Sequence, residues 1–264
     1  MIENLALLDD VLNQKDQWSF DAAVYFYKDN DRSWAQFEKG YLSVREKEGR
    51  ILSESEIVKL PYLPKNHRYA FEWRLRAKPL ERIIRHLKTN EVKGPILDLG
   101  CGNGWFTNYL SQVTSAVVLG VEVNKVELYQ AANFFKGEKL FFCYADIWET
   151  PFKSEVFQTI TLNGVIQYFP SFQKIISRLL ELLIPEGEIH IIDSPFYSLA
   201  EVNEAIERSK EYYSGIGEDD FARNYSHHTW DSLNGLNAEV KYKKGLFRRL
   251  TKDSPFPWVV ITKG

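Results

Sequence analysis

The run Pro95-Ile96-Leu97-Asp98-Leu99-Gly100-Cys101-Gly102-Asn103-Gly104-Trp105-Phe106 joins an apolar segment to three glycines at spacing two, and a helical pattern follows. Glycine permits positive φ and carries no Cβ, so such a turn lets main-chain N–H groups approach a ligand closely. The helix start beyond it adds unpaired N–H groups and the positive end of a dipole. A nucleotide-like guest suits that chemistry. A glycine loop alone is also what a plain tight turn looks like, but an acid follows at an informative distance. Glu122 lies 22 residues beyond Gly100, at the end of the next apolar run, where a carboxylate can accept two hydrogen bonds from a ribose diol. A dinucleotide fingerprint would place its third glycine or alanine at position 105, and Trp105 stands there. This argues against NAD or FAD.

The elements that must position these residues read as an alternation of short buried strands and longer helices, the rhythm of a parallel sheet covered on both faces. Strands are expected at 96–99, 116–123, 140–145, 157–162 and 187–193. Helices are expected from Gly104 to Gln112, over 125–135 and over 172–183, the last capped by Ser171 and stopped by Pro185-Glu186-Gly187. Two further strands, 239–242 and 258–262, are joined by a connection too short for a crossover helix, which predicts an antiparallel pair at one edge. The fold expected is α/β: a Rossmann-like, doubly wound seven-stranded sheet with an antiparallel last strand. Before Gly94 an acidic helix near Glu3 to Leu12, an aromatic and less regular section, and a helix around Leu80, Ile83, Ile84 and Leu87 with Pro79 in its first turn read as a mainly helical extension. No Gly/Ser/Pro-rich linker divides the two parts. Residues 1–92 are therefore expected to pack over the domain 93–264, within which 198–235 is a lid-like insertion.

Composition bounds the function. Hydrophobic residues make up 44% of the 264, charged residues 26% and aromatics 14%, the balance of a folded globular chain rather than a disordered or fibrous one. With 33 Lys+Arg against 36 Asp+Glu the net charge is only −3, which gives no general attraction to nucleic acid or anionic membranes. No apolar run approaches the roughly 20 residues of a membrane helix. The start, Met1-Ile2-Glu3-Asn4-Leu5, lacks a basic n-region and long apolar h-region, so a cytoplasmic address is expected. Cys101 and Cys143 lack metal-ligand spacing and read as small buried residues, and no metal is implied.

The segment ILDLGCGNGWF resembles motif I of the class I S-adenosylmethionine-dependent methyltransferases, and the likeness in order of elements extends over 94–264. The resemblance implies a loop backbone that cradles the methionine part of S-adenosylmethionine. In it Asp98 orders the loop and reaches the amino group, with Gly100, Cys101, Gly102 and Asn103 in the cradle. It gives Glu122, with its neighbour Val123, to the ribose. In Tyr144-Ala145-Asp146-Ile147 it gives Asp146 to the adenine N6 and Ile147 to the ring. In the segment 162–169 it has Asn163 and Gly164 meet the cofactor through backbone, with Tyr168 facing it. Many relatives have a histidine where this chain has Gln167, whose amide does not titrate. Asp193-Ser194-Pro195-Phe196-Tyr197 is similar to a D-S-P-x-Y run of bacterial small-molecule enzymes of this class, and the antiparallel strand Trp258 to Ile261 also matches the class.

In an open α/β sheet ligands bind beyond the carboxyl ends of the strands, so an acceptor is expected above Asn163 and Asp193. Two segments qualify as covers. From Lys65 to Lys88 eight Lys/Arg stand against Glu72 and Glu81. That stretch reads as a solvated helix face, as a partner for the cofactor carboxylate through Tyr69 and Arg74, or as a nucleic-acid contact. The insertion carries Tyr212, Tyr213, Tyr225, His227, His228 and Trp230. His227 titrates near neutral pH if unperturbed and is a candidate base beside Asp193 and Tyr168, although adjacent loop histidines are commonly just polar surface. His67, His86 and His190 read as structural. The basic stretches Lys241 to Lys244 and Arg248-Arg249 suit an edge strand and are assigned no partner. The function expected is methyl transfer from S-adenosylmethionine to an oxygen, nitrogen or carbon of a small molecule, yielding S-adenosylhomocysteine. The alternatives are an RNA or protein methyltransferase, and a binding module that no longer transfers methyl.

Overall fold

The computed structural model describes residues 5–28, 31–245 and 253–264. Its strands are β1 (Trp18–Asp21), β2 (Val24–Tyr27), β3 (Ile96–Leu99), β4 (Val118–Glu122), β5 (Leu140–Tyr144), β6 (Phe157–Asn163), β7 (Leu183–Ile192), β8 (Ala238–Tyr242) and β9 (Trp258–Thr262). Its helices are α1 (Leu5–Leu8), α2 (Asp31–Lys47), α3 (Glu54–Ile57), α4 (Ala70–Thr89), α5 (Trp105–Val113), α6 (Lys125–Phe134), α7 (Phe172–Leu182) and α8 (Val202–Gly215). All the strands join one sheet in the order β1-β2-β5-β4-β3-β6-β7-β9-β8. The strands from β2 to β7 pair in parallel, and β1, β9 and β8 are antiparallel to their neighbours.

The seven strands expected after Gly94 are all present. The sheet nevertheless has nine, because β1 and β2 of the N-terminal extension add a hairpin that continues it beyond β5, with Tyr25 and Phe26 opposite Cys143 and Tyr144. The hairpin turns through Ala22 and Ala23, both at positive φ (46° and 65°). Tight two-residue turns of that hand normally advertise themselves with Asn or Gly, and two alanines give no such signal. The extension is thus part strand and part helix.

Three other local expectations are corrected. Helix α4 begins at Ala70, so buried Pro79 lies in its interior rather than its first turn. The cost of a mid-helix proline is offset by the apolar face of Leu80, Ile83 and Leu87, which is fully buried against the sheet. Helix α7 ends at Leu182, before Pro185, and β7 continues past Pro185, turning at Glu186 (φ 61°), where Glu186 and Gly187 pair with Lys263 beyond β9. The first helix is a single turn, and its expected start at Glu3 lies outside the described residues.

Helix α7 packs Ile175, Ile176, Leu179 and Leu182 against one face of the sheet. Helices α4, α5 and α6 cover the other. Ser171 caps α7 as expected, accepting from Lys174 N at 3.3 Å. A third, aromatic cluster joins α2 to the insertion: Phe37 and Tyr41 meet Tyr168, Tyr213 and Phe221. No described helix is long and apolar enough to cross a membrane.

One polar cluster interrupts the apolar layer under α4. Glu188 Oε2 lies 2.7 Å from His86 Nε2 and 3.3 Å from His190 Nε2, and Trp258 Nε1 donates to His190 Nδ1 at 3.2 Å. These three side chains are close enough to share a cation. However, the Trp258 bond leaves the proton of a neutral His190 ring on Nε2, so that nitrogen presents a proton rather than a lone pair to a cation. Burial pushes His190 below the usual histidine range, against the pull of Glu188. Burial also works to raise Glu188, but hydrogen bonds and charge from His190 and His86 outweigh it and hold that carboxyl well below its usual range. The unfolded chain therefore takes up protons first at both groups: at His190 as pH falls through about 6.5, and at Glu188 near 4.3. Relative to a variant lacking the imidazole, the wild type should therefore lose Tm in thermal melts as pH is lowered from 7 to 5. A His190→Gln variant should be less stable at pH 7 but lose less over that interval, and an equal loss would exclude His190 as the source.

Candidate functional site

The glycine loop is held from below by a buried acid. Asp98, 1% exposed on β3, accepts from Thr107 Oγ1 of α5 at 2.6 Å and from Thr161 Oγ1 of β6 at 2.8 Å. Burial raises its carboxyl to about 6 despite these two bonds. Gly100 turns the chain at φ 72°, where a side chain would collide with Val165. Gly104, at φ 77°, opens α5, and a Cβ there would stand 2.6 Å from Ala131 Cβ of α6. Cys101 is buried, and its thiol is pushed well up by burial, so it lines the loop as an inert group.

Glu122 ends β4 and binds back to the loop. One carboxylate oxygen accepts from Gly102 N at 2.9 Å, and the other from Val123 N at 2.8 Å and Asn124 N at 3.0 Å. Burial still raises its pKa, so its charge is held in a poorly hydrated place. Asn124 caps α6 by accepting from Glu127 N at 3.1 Å. At the end of β5, Asp146 caps the turn Ile147–Glu149, with Oδ1 accepting from Trp148 N at 3.0 Å and Oδ2 from Trp34 Nε1 at 3.0 Å. Gln167 is structural, donating to Gly164 O at 2.6 Å and accepting from Ser194 Oγ at 3.2 Å.

These groups face one cleft. The structure brings together along it the residues from Asp98 to Asn103, then Glu122 and Val123, Asp146 and Ile147, Asn163 and Gly164, and Tyr168. The cover of the cleft was only partly legible. On α4 the lining residues are Glu72, Trp73 and Arg76, preceded by Tyr69 at the helix start, the i, i+3, i+4, i+7 stripe of one helical face. Arg74 is excluded: two positions from Arg76 it lies about 200° around the helix, and it is exposed over the Phe71 ring. Tyr69 lines the cleft, with its hydroxyl donating to the Glu48 carbonyl. Helix α2 supplies the other half of the cover with Trp34, Phe37, Tyr41 and Arg45. The spacing of these four is helical, but they sit in the aromatic section that reads as irregular.

A chain of alternating charges runs along the cover. Arg45 lies 3.6 Å from Glu48, Glu48 3.3 Å from Arg50, Arg50 2.8 Å from Glu72, Glu72 3.2 Å from Arg76, and Arg76 2.8 Å from Asp193. Asp193 thus ends an ion-pair chain, at φ 51°, and does not stand as an unpaired base. Burial raises its pKa and Arg76 works against that. Tyr168 is pushed up by burial, so its phenol stays protonated at neutral pH. Glu127, unremarkable in sequence as an acid in a first helical turn, lines the cleft, and burial raises it to about 7, opposed by Arg45. Five lining carboxyls face three guanidiniums and, among the described residues, no lysine.

His227 is corrected. It lies in a separate groove, 2.8 Å from Ser209 Oγ, with Tyr225 and then Tyr168 between it and the cleft. The segment is pinned on the outer side of the turn at 166–168, where Ser226 N donates to Gln167 O at 2.7 Å. Among the described residues no histidine lines the cleft. Of the basic stretches near the edge strand, Lys241 pairs with Glu239 and Lys243 lies over Trp230. Arg248 and Arg249 lie outside the described residues.

Comparison with known proteins bears on this cleft. Residues 90–249, more than half of the chain, match the family described as Methyltransferase domain. The chain is 30% identical over 110 residues to the malonyl-[acyl-carrier protein] O-methyltransferase of Buchnera aphidicola, covering 42% of this chain and 43% of that one. It is 28% identical over 146 residues to the tRNA U34 carboxymethyltransferase of Ruthia magnifica, covering 53% and 44%. The chain spans about half the length of the curated relatives it matches. Among solved structures, a SAM-dependent methyltransferase of Thermotoga maritima superposes with a TM-score of 0.55 at 15% identity, over 88% of this chain and all of that one. By its matched domain, its sheet order and its glycine loop, the chain belongs to the class I S-adenosylmethionine-dependent methyltransferases.

Proposed function

We propose that this protein transfers a methyl group from S-adenosylmethionine to a small-molecule acceptor held in the cleft under α2 and α4. The observation that carries the reading is the cleft itself, a glycine-loop cradle walled by aromatic side chains and lined by more carboxyls than guanidiniums. An acid-rich lining favours a cationic ligand and opposes a polyanion such as RNA. In this reading residues 1–92 serve as the cover of the domain 93–264, and 198–235 supports that cover from outside through Tyr213 and Phe221.

The cofactor fits the residues present. The backbone at Gly100 to Asn103 would hold its methionine part, Glu122 its ribose, and Asp146 with Ile147 its adenine. When bound it supplies a sulfonium methyl group already activated for attack. What the chain adds is position and dryness. Tyr168 and Tyr41 offer protonated phenols at the acceptor side, and Arg76, fixed by Asp193 and Glu72, offers a guanidinium. Orienting an acceptor against the methyl carbon in a site closed to water supplies much of the acceleration such a reaction needs.

Calorimetric titration should give binding of S-adenosylmethionine and S-adenosylhomocysteine, weakened at least about tenfold, roughly 1.4 kcal/mol, in Glu122→Ala. Binding of NAD instead would overturn the cofactor assignment. Incubation with radiolabelled methyl donor should then place label in small-molecule extracts rather than in RNA or protein; donor binding with no label transferred anywhere would leave a binding module. A further outcome follows from the buried acid. Keeping Asp98 ionised at pH 7 costs on the order of 3 kcal/mol, since its pKa lies about two units above that of an unfolded aspartate. Asp98→Asn should therefore melt no lower than wild type at pH 7 while binding S-adenosylhomocysteine at least about tenfold more weakly. A variant that merely unfolds would contradict this.

A further inference from the structure

Asp146 carries two hydrogen bonds of different origin. The bond from Trp148 N is a local cap, within two residues. The bond from Trp34 Nε1 spans 112 residues and comes from α2, outside the segment that matches the methyltransferase family. An indole N–H can only donate. With the caps fixed this way, each oxygen of Asp146 keeps lone pairs for a ligand, and the carboxylate cannot rotate freely. Trp34 also lines the cleft.

The indole is itself held in place. It meets Phe37 edge-on, with ring centroids 5.7 Å apart at 86°. One turn on, Glu38 of α2 accepts from Lys125 N at 2.6 Å and Val126 N at 3.4 Å, the first N–H groups of α6, which have no partner within the helix. Helix α2 is thereby docked on the element whose cap, Asn124, donates to Glu122. The two acids at the cofactor end of the cleft and the helix that covers them form one connected unit. Burial raises the Asp146 carboxyl, and the bonds from Trp148 and Trp34 counter it.

We propose that Trp34 is a specificity-determining residue of the cleft: by fixing the Asp146 carboxylate as a pure acceptor, it selects a purine that presents a 6-amino donor over one that presents a 6-oxo acceptor. The inference rests on the reading that an adenosine-bearing cofactor occupies the cleft. It goes beyond that reading by assigning the selection to a side chain of the N-terminal extension. Trp34 acts through Asp146 and is a positioning residue.

The test is a ratio of affinities rather than an affinity. Wild-type protein is titrated with S-adenosylhomocysteine and with S-inosylhomocysteine, in which a 6-oxo group replaces the 6-amino group and N1 carries a proton. The wild type should prefer the amino form by about tenfold or more, as expected of a site built around a donor. Trp34→Phe should cut that preference severalfold, Trp34→His, which retains a ring N–H, should recover part of it, and Asp146→Asn should abolish it. Equal weakening of both ligands in Trp34→Phe would make Trp34 a plain wall residue and overturn the proposal. So would an unchanged ratio, or a wild type that does not discriminate. A wild type that binds neither purine ligand would sink the cofactor reading and this one together, whereas discrimination unaffected by Trp34 would sink this one alone.

Discussion

Three backbone N–H groups converge on the carboxylate of Glu122, and most of the cleft follows from that convergence. The bond from Gly102 closes the glycine loop onto the neighbouring strand. The bonds from Val123 and Asn124 fix the turn into α6, so that Asn124 can cap the helix and Glu38 can reach the N–H groups beyond it. Loop, strand end, helix and cover are thus linked through one buried charge. Such a charge is costly to bury unless it is fully hydrogen-bonded, which is why the loop cannot relax independently of it.

Glu122 is one of several acids held in poorly hydrated positions along the same cleft. Burial raises Asp98 to about 6 and Glu127 to about 7 and lifts Asp146 and Asp193 as well. A fold selected for stability alone would gain by replacing such groups. Their accumulation at the carboxyl ends of parallel strands is characteristic of a binding site. The guanidiniums of the cover partly offset this negative field, and because Arg45, Arg50 and Arg76 alternate with Glu48, Glu72 and Asp193, the balance is kept locally rather than across the molecule. The family model begins at residue 90, yet about a third of the residues lining the cleft lie before it. Helices α2 and α4 therefore supply a part of the site that lies outside the matched family segment, including the indole on Asp146.

The glycine loop, the acid at the end of β4 and the seven strands after Gly94 are legible in the sequence, because each depends on local periodicity or short spacing, whereas the Asp146-Ile147 pair is reached through the resemblance to the methyltransferase class. Trp105, standing where a dinucleotide fingerprint has its third glycine or alanine, argues against a dinucleotide by one side chain. Tertiary structure decided the rest. The β1–β2 hairpin turns on two alanines, a conformation stabilised by pairing with β5 rather than by turn residues. Arg76 rather than Arg74 faces the cleft because α4 starts at Ala70, and a shift of two positions on a helix reverses the face. His227, a plausible base by its chemistry, lies on the far side of Tyr225, where the neighbouring Ser226 N–H donates to the Gln167 carbonyl. Trp34 meets Asp146 across 112 residues. No spacing rule reports a contact of that range, because it depends on how the cover is docked on the sheet and not on either segment alone.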